Sequence, residues 1–149
     1  MNNNYMELRF KSTSENEGFA RTCVAAFCLQ LDPTLEELND IKTAVSEAVT
    51  NCVVHAYPEG NGEIYLKAEI TNDLLKVVIS DKGIGIENIR QAREPFYTTK
   101  PSQERSGMGF AIMESFMDKM NVEKNGNRGL KVTLLKQIKT KEACVGREC

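Results

Sequence analysis

The sequence predicts an α/β (α+β) two-layer sandwich, with helices packed on one face of a mixed, largely antiparallel sheet. Three observations carry this. Short stretches alternate apolar and polar side chains near the start, in the middle and near the end of the chain. Two long apolar stripes at helical spacing lie between the first and second of these stretches. Asn-, Gly- and Pro-containing turns separate the segments.

Tyr5 to Phe10 places Met6, Leu8 and Phe10 on one face and reads as the first strand. Ser14-x-x-Glu17 has the form of a capping box and opens a helix to about Leu31, where Asp32-Pro33 stops it because proline disfavours a helical backbone in the preceding residue. Thr34-x-x-Glu37 is a second capping box. It opens a long helix carrying Leu35, Leu38, Ile41, Val45, Ala48, Val49, Cys52 and Val53, which ends before Tyr57-Pro-Glu-Gly60. Ile64, Leu66, Ala68 and Ile70 alternate between Glu63 and Thr71. A turn at Asn72-Asp73 joins that strand to Leu75, Val77 and Ile79, making a β-hairpin. Glu87 to Arg93 reads as a short polar helix, and Glu94 to Arg105, with two prolines, as a mobile loop. Gly107 to Met120 is predicted helical, with Phe110, Met113, Met117 and Met120 on one side. Val122 and then Leu130 to Ile138 close the sheet around a turn at Gly126–Gly129, and a charged tail from 139 onward is expected to fray.

A length of 149 residues fits one domain spanning 1–149, and 41% hydrophobic residues suffice for a core without a disulfide or metal staple. The net charge of -2, with no basic cluster, excludes a direct nucleic-acid footprint. The five cysteines are odd in number and form no C-x-x-C pair. Cys23, Cys28 and Cys52 sit among apolar helix residues and read as buried free thiols of a reducing compartment. No export signal or membrane-length apolar run is present, so a cytoplasmic protein that does not enter membranes is expected.

Four short segments carry candidate chemistry. Glu47 and Asn51 lie one helical turn apart on one face. A carboxylate there can take a proton from an attacking hydroxyl, and an amide oxygen can ligate Mg²⁺. The same pair also suits an ordinary polar stripe. Asp81-Lys-Gly-Ile-Gly85 follows an apolar strand. The aspartate can accept from an exocyclic amine while Gly83 and Gly85 let backbone approach a flat base, although Asp and Gly are also the usual strand-exit residues. Arg105, Ser106, Gly107, Met108 and Gly109 precede a helix, whose free N–H groups suit phosphates. Lys100 and Arg105 can close over a triphosphate or simply be solvated. The fourth segment, Gly129-Leu-Lys-Val132, brings a glycine to a strand start. His55, the sole histidine, suits packing better than catalysis. Neither a P-loop nor a G-x-G-x-x-G fingerprint occurs, so a nucleotide site here requires another architecture.

In order, these segments resemble the N, G1, G2 and G3 boxes of the GHKL ATPase superfamily, which includes gyrase-type, Hsp90-type and histidine-kinase ATP domains. Glu17–Arg21, Leu31–Thr34, Ile41–Asn51, Tyr97–Pro101, Glu104–Phe110 and Ile112–Glu114 narrow the likeness to the sporulation anti-sigma serine kinases, over roughly residues 5 to 144. The resemblance implies a Bergerat-type ATP-binding fold that uses ATP or ADP with Mg²⁺. It implies a homodimer that holds sigma factor F inactive and phosphorylates a serine on an anti-anti-sigma factor. By the same resemblance Glu47 is the general base, Asn51 the Mg²⁺ ligand and Asp81 the partner of the adenine amine. Gly83 and Gly85 line the base, Lys100 and the Arg105–Gly109 segment hold phosphates, and Arg21 serves partner binding. The family usually has Gly-Thr where this chain has Gly129-Leu130, and its nearest members have glycine where this chain has Ala56. A missing threonine hydroxyl would leave more of the adenine recognition to Asp81. A general-stress-type anti-sigma kinase and a binding-only anti-sigma module with a regulatory ATP site are the alternatives. A histidine-kinase catalytic domain is disfavoured by the absence of a helical dimerisation segment.

Overall fold

The computed structural model describes residues 3–94 and 109–139. Within them five strands form one sheet in the order β1-β2-β3-β5-β4: β1 Asn3–Lys11, β2 Glu63–Thr71, β3 Leu74–Asp81, β4 Lys119–Lys124 and β5 Leu130–Gln137. Every pairing is antiparallel, so the expectation of a mixed sheet is corrected. The physical reason is connectivity. β2 and β3 are joined by a tight turn in which Asn72 takes a positive φ of 55°, and β4 and β5 by the 125–129 turn, neither leaving room for a crossover.

Alternation decides which face is covered. Ile64, Leu66, Ala68 and Ile70 of β2, Leu75, Val77 and Ile79 of β3, and Leu130, Val132 and Leu134 of β5 are all buried. Met6, Leu8 and Phe10 of β1 pack against that core from the sheet edge. The opposite face carries Lys67, Glu69 and Lys76 and stays hydrated, with Lys67 Nζ 5.4 Å from the Tyr5 ring centroid.

The helices lie over the buried face. Helix α1 spans Glu15–Cys28 and continues as a 3-10 turn to Leu31, where Asp32 adopts a left-handed backbone. Helix α2 spans Leu35–Asn51 and presents Ile41, Ala44, Val45, Ala48 and Val49 to the core. Both halves of the Thr34 capping box form: Glu37 N–H donates to Thr34 Oγ1 at 3.1 Å, and Thr34 N–H to Glu37 Oε1 at 2.9 Å. The Ser14 box does not form. Ser14 has helical dihedrals, φ -62° and ψ -29°, and its side chain makes no capping bond, because a cap needs an extended backbone at that position. Beyond Asn51 the helix widens into a π turn, Cys52–Ala56.

Helix α3 is a single turn, Ile89–Ala92, shorter than the 87–93 expected and capped by Asn88. Helix α4 spans Gly109–Phe116 and buries Phe110 and Met113, with Met117 just beyond it. The expected helix to Met120 therefore ends four residues early, since Lys119–Lys124 pairs with β5 and Met120 lies opposite Leu134. The expected loop from Glu94 falls, after its first residue, outside the described residues, as do the start of the expected fourth helix and the tail beyond Lys139.

Candidate functional site

The end of α2 and the end of β3 meet, and Asp81 is the residue on which they close. It closes β3, where the alternation of that strand points it to the buried face. It is 2% exposed and the one buried charged residue among those described. A carboxylate so placed needs donors. Its Oδ1 accepts the N–H of Gly83 at 2.9 Å and the N–H of Leu130 at 3.2 Å, while its Oδ2 accepts the Cys52 thiol at 3.4 Å. Burial raises the Asp81 pKa above the usual carboxylate value, and the three hydrogen bonds oppose that rise without cancelling it. The Cys52 thiol is pushed well above its ordinary value by burial first and then by the neighbouring Asp81 charge, so it stays a neutral donor.

The turn after Asp81 is shaped by backbone contacts within the protein. A Cβ on Gly83 would lie 2.0 Å from the Ala56 carbonyl oxygen, and Ile84 N–H donates to that same oxygen at 2.9 Å. Gly83 is thus required for the π turn to approach β3. Gly85 takes a positive φ of 73°. Gly129, at φ 98°, sits where a Cβ would be 2.0 Å from the Asp81 carbonyl oxygen, so the start of β5 is pressed against the end of β3. A cleft of about 460 Å³ opens beside this turn, lined by Gly85, Ile86, Lys124, Arg128 and Gly129 among others. It includes Gly85 but not Glu47, Asn51 or Asp81.

Glu47 and Asn51 sit half-buried on α2, four residues apart and leading into the turn that carries Cys52. Among the described residues the buried Asn51 Nδ2 has no hydrogen-bond partner, a donor that an incoming acceptor or ordered water would satisfy. Arg21, remote in sequence, is brought against α2. Its Nη1 donates to Glu17 Oε1 at 3.2 Å and to Ser46 Oγ at 3.3 Å, beside Glu47. His55 is half-buried within the π turn. Gly109 is buried at the start of α4, whereas Lys100, Arg105, Ser106, Gly107 and Met108 lie outside the described residues.

Several positioning residues were not singled out for that role from the sequence. Tyr57, the first residue beyond the helix end expected from sequence, donates through its hydroxyl to the Glu63 carbonyl at 2.7 Å and accepts Lys82 N–H at 2.8 Å, tying the end of the π turn to β2 and the turn after β3. Its ring occupies the space a Gly62 side chain would fill. Asn125 Nδ2 donates to the Asp81 carbonyl at 2.8 Å, and Arg128 Nε to the Lys82 carbonyl at 2.9 Å. Cys52 was read as a buried free thiol, and it is one, but its bond to Asp81 joins residues 29 apart and has no signature in spacing. Leu130 supports Asp81 through its backbone, while its side chain packs in the core at 7% exposure.

Comparison with known proteins agrees with the fold. Residues 10–136 match the Histidine kinase-like ATPase domain family. Proteins named anti-sigma F factor match nearly end to end. The one from Clostridium beijerinckii is 54% identical over 93% of this chain and 97% of its own. That from Clostridium perfringens strain SM101 is 53% identical, over 92% and 99%. That from Caldanaerobacter subterraneus subsp. tengcongensis is 52% identical, over 91% and 95%. Among solved structures, the RsbU and RsbW domains of Rv1364c from Mycobacterium tuberculosis share the fold with a TM-score of 0.63 at 16% identity, over 91% of this chain and 32% of that one. The catalytic domain of histidine kinase ThkA does so with a TM-score of 0.56 at 17% identity, over 89% and 97%. The chain belongs to the histidine kinase-like ATPase domain family, in the branch whose members are named anti-sigma F factor.

Proposed function

We propose that residues 1–149 form one ATP-dependent protein serine kinase domain that also binds and inhibits sporulation sigma factor F. Its phosphoryl acceptor is then a serine on an anti-anti-sigma factor. The observation that carries this reading is the buried Asp81 carboxylate, saturated by two backbone N–H groups on Oδ1 and, among the described residues, met on Oδ2 by a weak thiol donor. Such an oxygen keeps acceptor capacity for an exocyclic amine. The names of the relatives supply the sigma-factor partner.

In this reading the chain's own groups divide the work. Asp81 fixes the base, with Gly83 and Gly85 shaping the turn against it. Asn51 would offer its amide oxygen to Mg²⁺, and its buried Nδ2, unpartnered among the described residues, would be free to donate to a bound ligand or water. Among the described residues no group of three or more His, Cys, Asp or Glu side chains could hold a metal ion. Asn51 would supply one protein oxygen, with phosphate and water oxygens supplying the other ligands of Mg²⁺. When bound, Mg-ATP supplies the transferable phosphoryl group and the counter-charge for it. Glu47 takes the proton of the attacking serine hydroxyl. Lys100, Arg105, Ser106, Gly107, Met108 and Gly109 hold the phosphates, and Arg21 contributes to a partner surface. The protein works as a cytoplasmic homodimer.

The test is to mix the protein with labelled ATP, Mg²⁺ and a candidate anti-anti-sigma protein, then look for phosphoserine. Label on a serine of the partner, absent without Mg²⁺, is expected; its absence with partner binding intact would favour a binding-only anti-sigma module. Glu47 favours the enzyme, because a site that only binds nucleotide needs no base. The general-stress-type reading is separated by which sigma factor is captured.

A further inference from the structure

We infer that Cys52 is a positioning residue for adenine recognition: its thiol orients the Asp81 carboxylate so that Oδ2 faces the exocyclic amine of a purine nucleotide. This rests on the reading of Asp81 as the adenine partner. The torsion that turns an aspartate carboxylate is broad and soft, so an oxygen pinned on one side only can swing. Gly83 and Leu130 both donate to Oδ1, at 2.9 and 3.2 Å, and leave the plane of the group unfixed. Among the described residues the Cys52 Sγ, 3.4 Å away, is the donor that reaches Oδ2. Three donors from three elements, the π turn, the strand-exit turn and β5, then define one orientation.

Thiol chemistry suits the task. The S–H group is a weak donor with a single hydrogen; like a hydroxyl it engages one acceptor site of Oδ2 and leaves the other for the ligand. Cys52 is 6% exposed and directly follows Asn51, whose buried Nδ2 lacks a partner among the described residues. The unsatisfied polar atom and the group that orients Asp81 thus belong to consecutive residues at the junction of α2 and the π turn. π turns inserted in α-helices occur frequently at functional sites.

The experiment measures dissociation constants for ADP and for purine riboside 5′-diphosphate, which lacks the 6-amine, on the full chain at fixed Mg²⁺. Wild-type protein is expected to favour ADP. Cys52→Ala and Cys52→Val, the latter keeping bulk without a donor, should contract that preference by about two- to tenfold, the range of one hydrogen bond's net worth. Cys52→Ser should retain it. An unchanged ratio in the Ala and Val variants, including equal weakening of both ligands, would overturn the role of Cys52. So would a Ser variant that loses the preference as fully as Ala. A wild-type protein that binds both ligands but does not distinguish them would instead overturn the reading of Asp81, and this inference with it.

Discussion

At Asp81 the protonation state and the proposed ligand chemistry are opposed, and this gives a pH dependence with a definite sign. An exocyclic amine needs an ionised acceptor. Burial raises the Asp81 pKa, so ADP affinity should fall as the pH drops, beginning above the pH at which an exposed aspartate would protonate. Folding stability runs the other way. A raised folded pKa contributes stability that is fully present below the unfolded value near 3.8 and is lost as pH rises through the folded pKa. Calorimetric titration of ADP from mildly acidic to neutral pH checks the first; a flat profile would remove Asp81 from the contact. Glu47→Gln should lower phosphoryl transfer by about 10²–10⁴ while nucleotide binding persists, because an amide cannot take the hydroxyl proton. Turnover near wild type would end its assignment as base. Leu130→Thr was expected from sequence to add a hydroxyl useful to adenine. With the side chain packed in the core, the substitution should instead cost about 1–3 kcal/mol of stability without tightening ATP binding. Tighter binding would restore the polar-contact view.

Two helices begin with the same kind of motif, and only one uses it. Thr34 is extended and closes a reciprocal capping box, whereas Ser14 is already helical and caps nothing. Thr34→Ala should therefore cost about 0.5–2 kcal/mol, and Ser14→Ala should stay within about 0.5 kcal/mol of wild type. Urea unfolding of the two variants decides it, and equal losses would contradict the geometry. The far end of α2 matters more for the site. Its π turn brings Ala56 against Gly83 and Cys52 against Asp81, and Tyr57 fastens the result to β2 and Lys82. Lys136 Nζ adds a further tie, lying 3.4 Å from Asp40 Oδ2 on α2 and 2.6 Å from the Phe116 carbonyl at the end of α4.

Across the described residues, one apolar layer joins helices α1, α2 and α4 to the sheet and encloses Cys28 and Cys52. Burial, aided by the charge of Glu37, pushes the Cys28 thiol up to about 11 from 9.0. Its contribution to stability is fully present below the unfolded value and is lost as pH rises through the folded one, so alkaline conditions should erode the fold. Because the thiolate is the reactive form, Cys28 and Cys52 should resist alkylation in the native protein and react after unfolding. Peptide mapping after brief iodoacetamide treatment at mildly alkaline pH checks this. Rapid native labelling of Cys28 would show that α1 opens far more readily than its packing indicates.

The elements with strong periodicity were legible in the chain. β1, the β2–β3 hairpin, α2 and its Thr34 cap, and the apolar stripes of all three needed only local pattern and local hydrogen bonds. Glu47, Asn51 and Asp81 were legible as candidates because helical spacing and a strand-exit aspartate are local features too. What the tertiary structure decided is every relation between distant segments. It made the sheet wholly antiparallel and gave Met120 to a strand, because pairing with β5 outweighs helical spacing. It brought Arg21 beside Ser46, and it gave Gly83 and Gly129 their reason in backbone oxygens that would lie 2.0 Å from any added Cβ. The Asp81 carboxylate was likewise settled by donors from residues 52, 83 and 130. Sequence spacing encodes periodicity along one element, whereas a buried carboxylate is satisfied by whichever donors the fold brings within hydrogen-bonding distance.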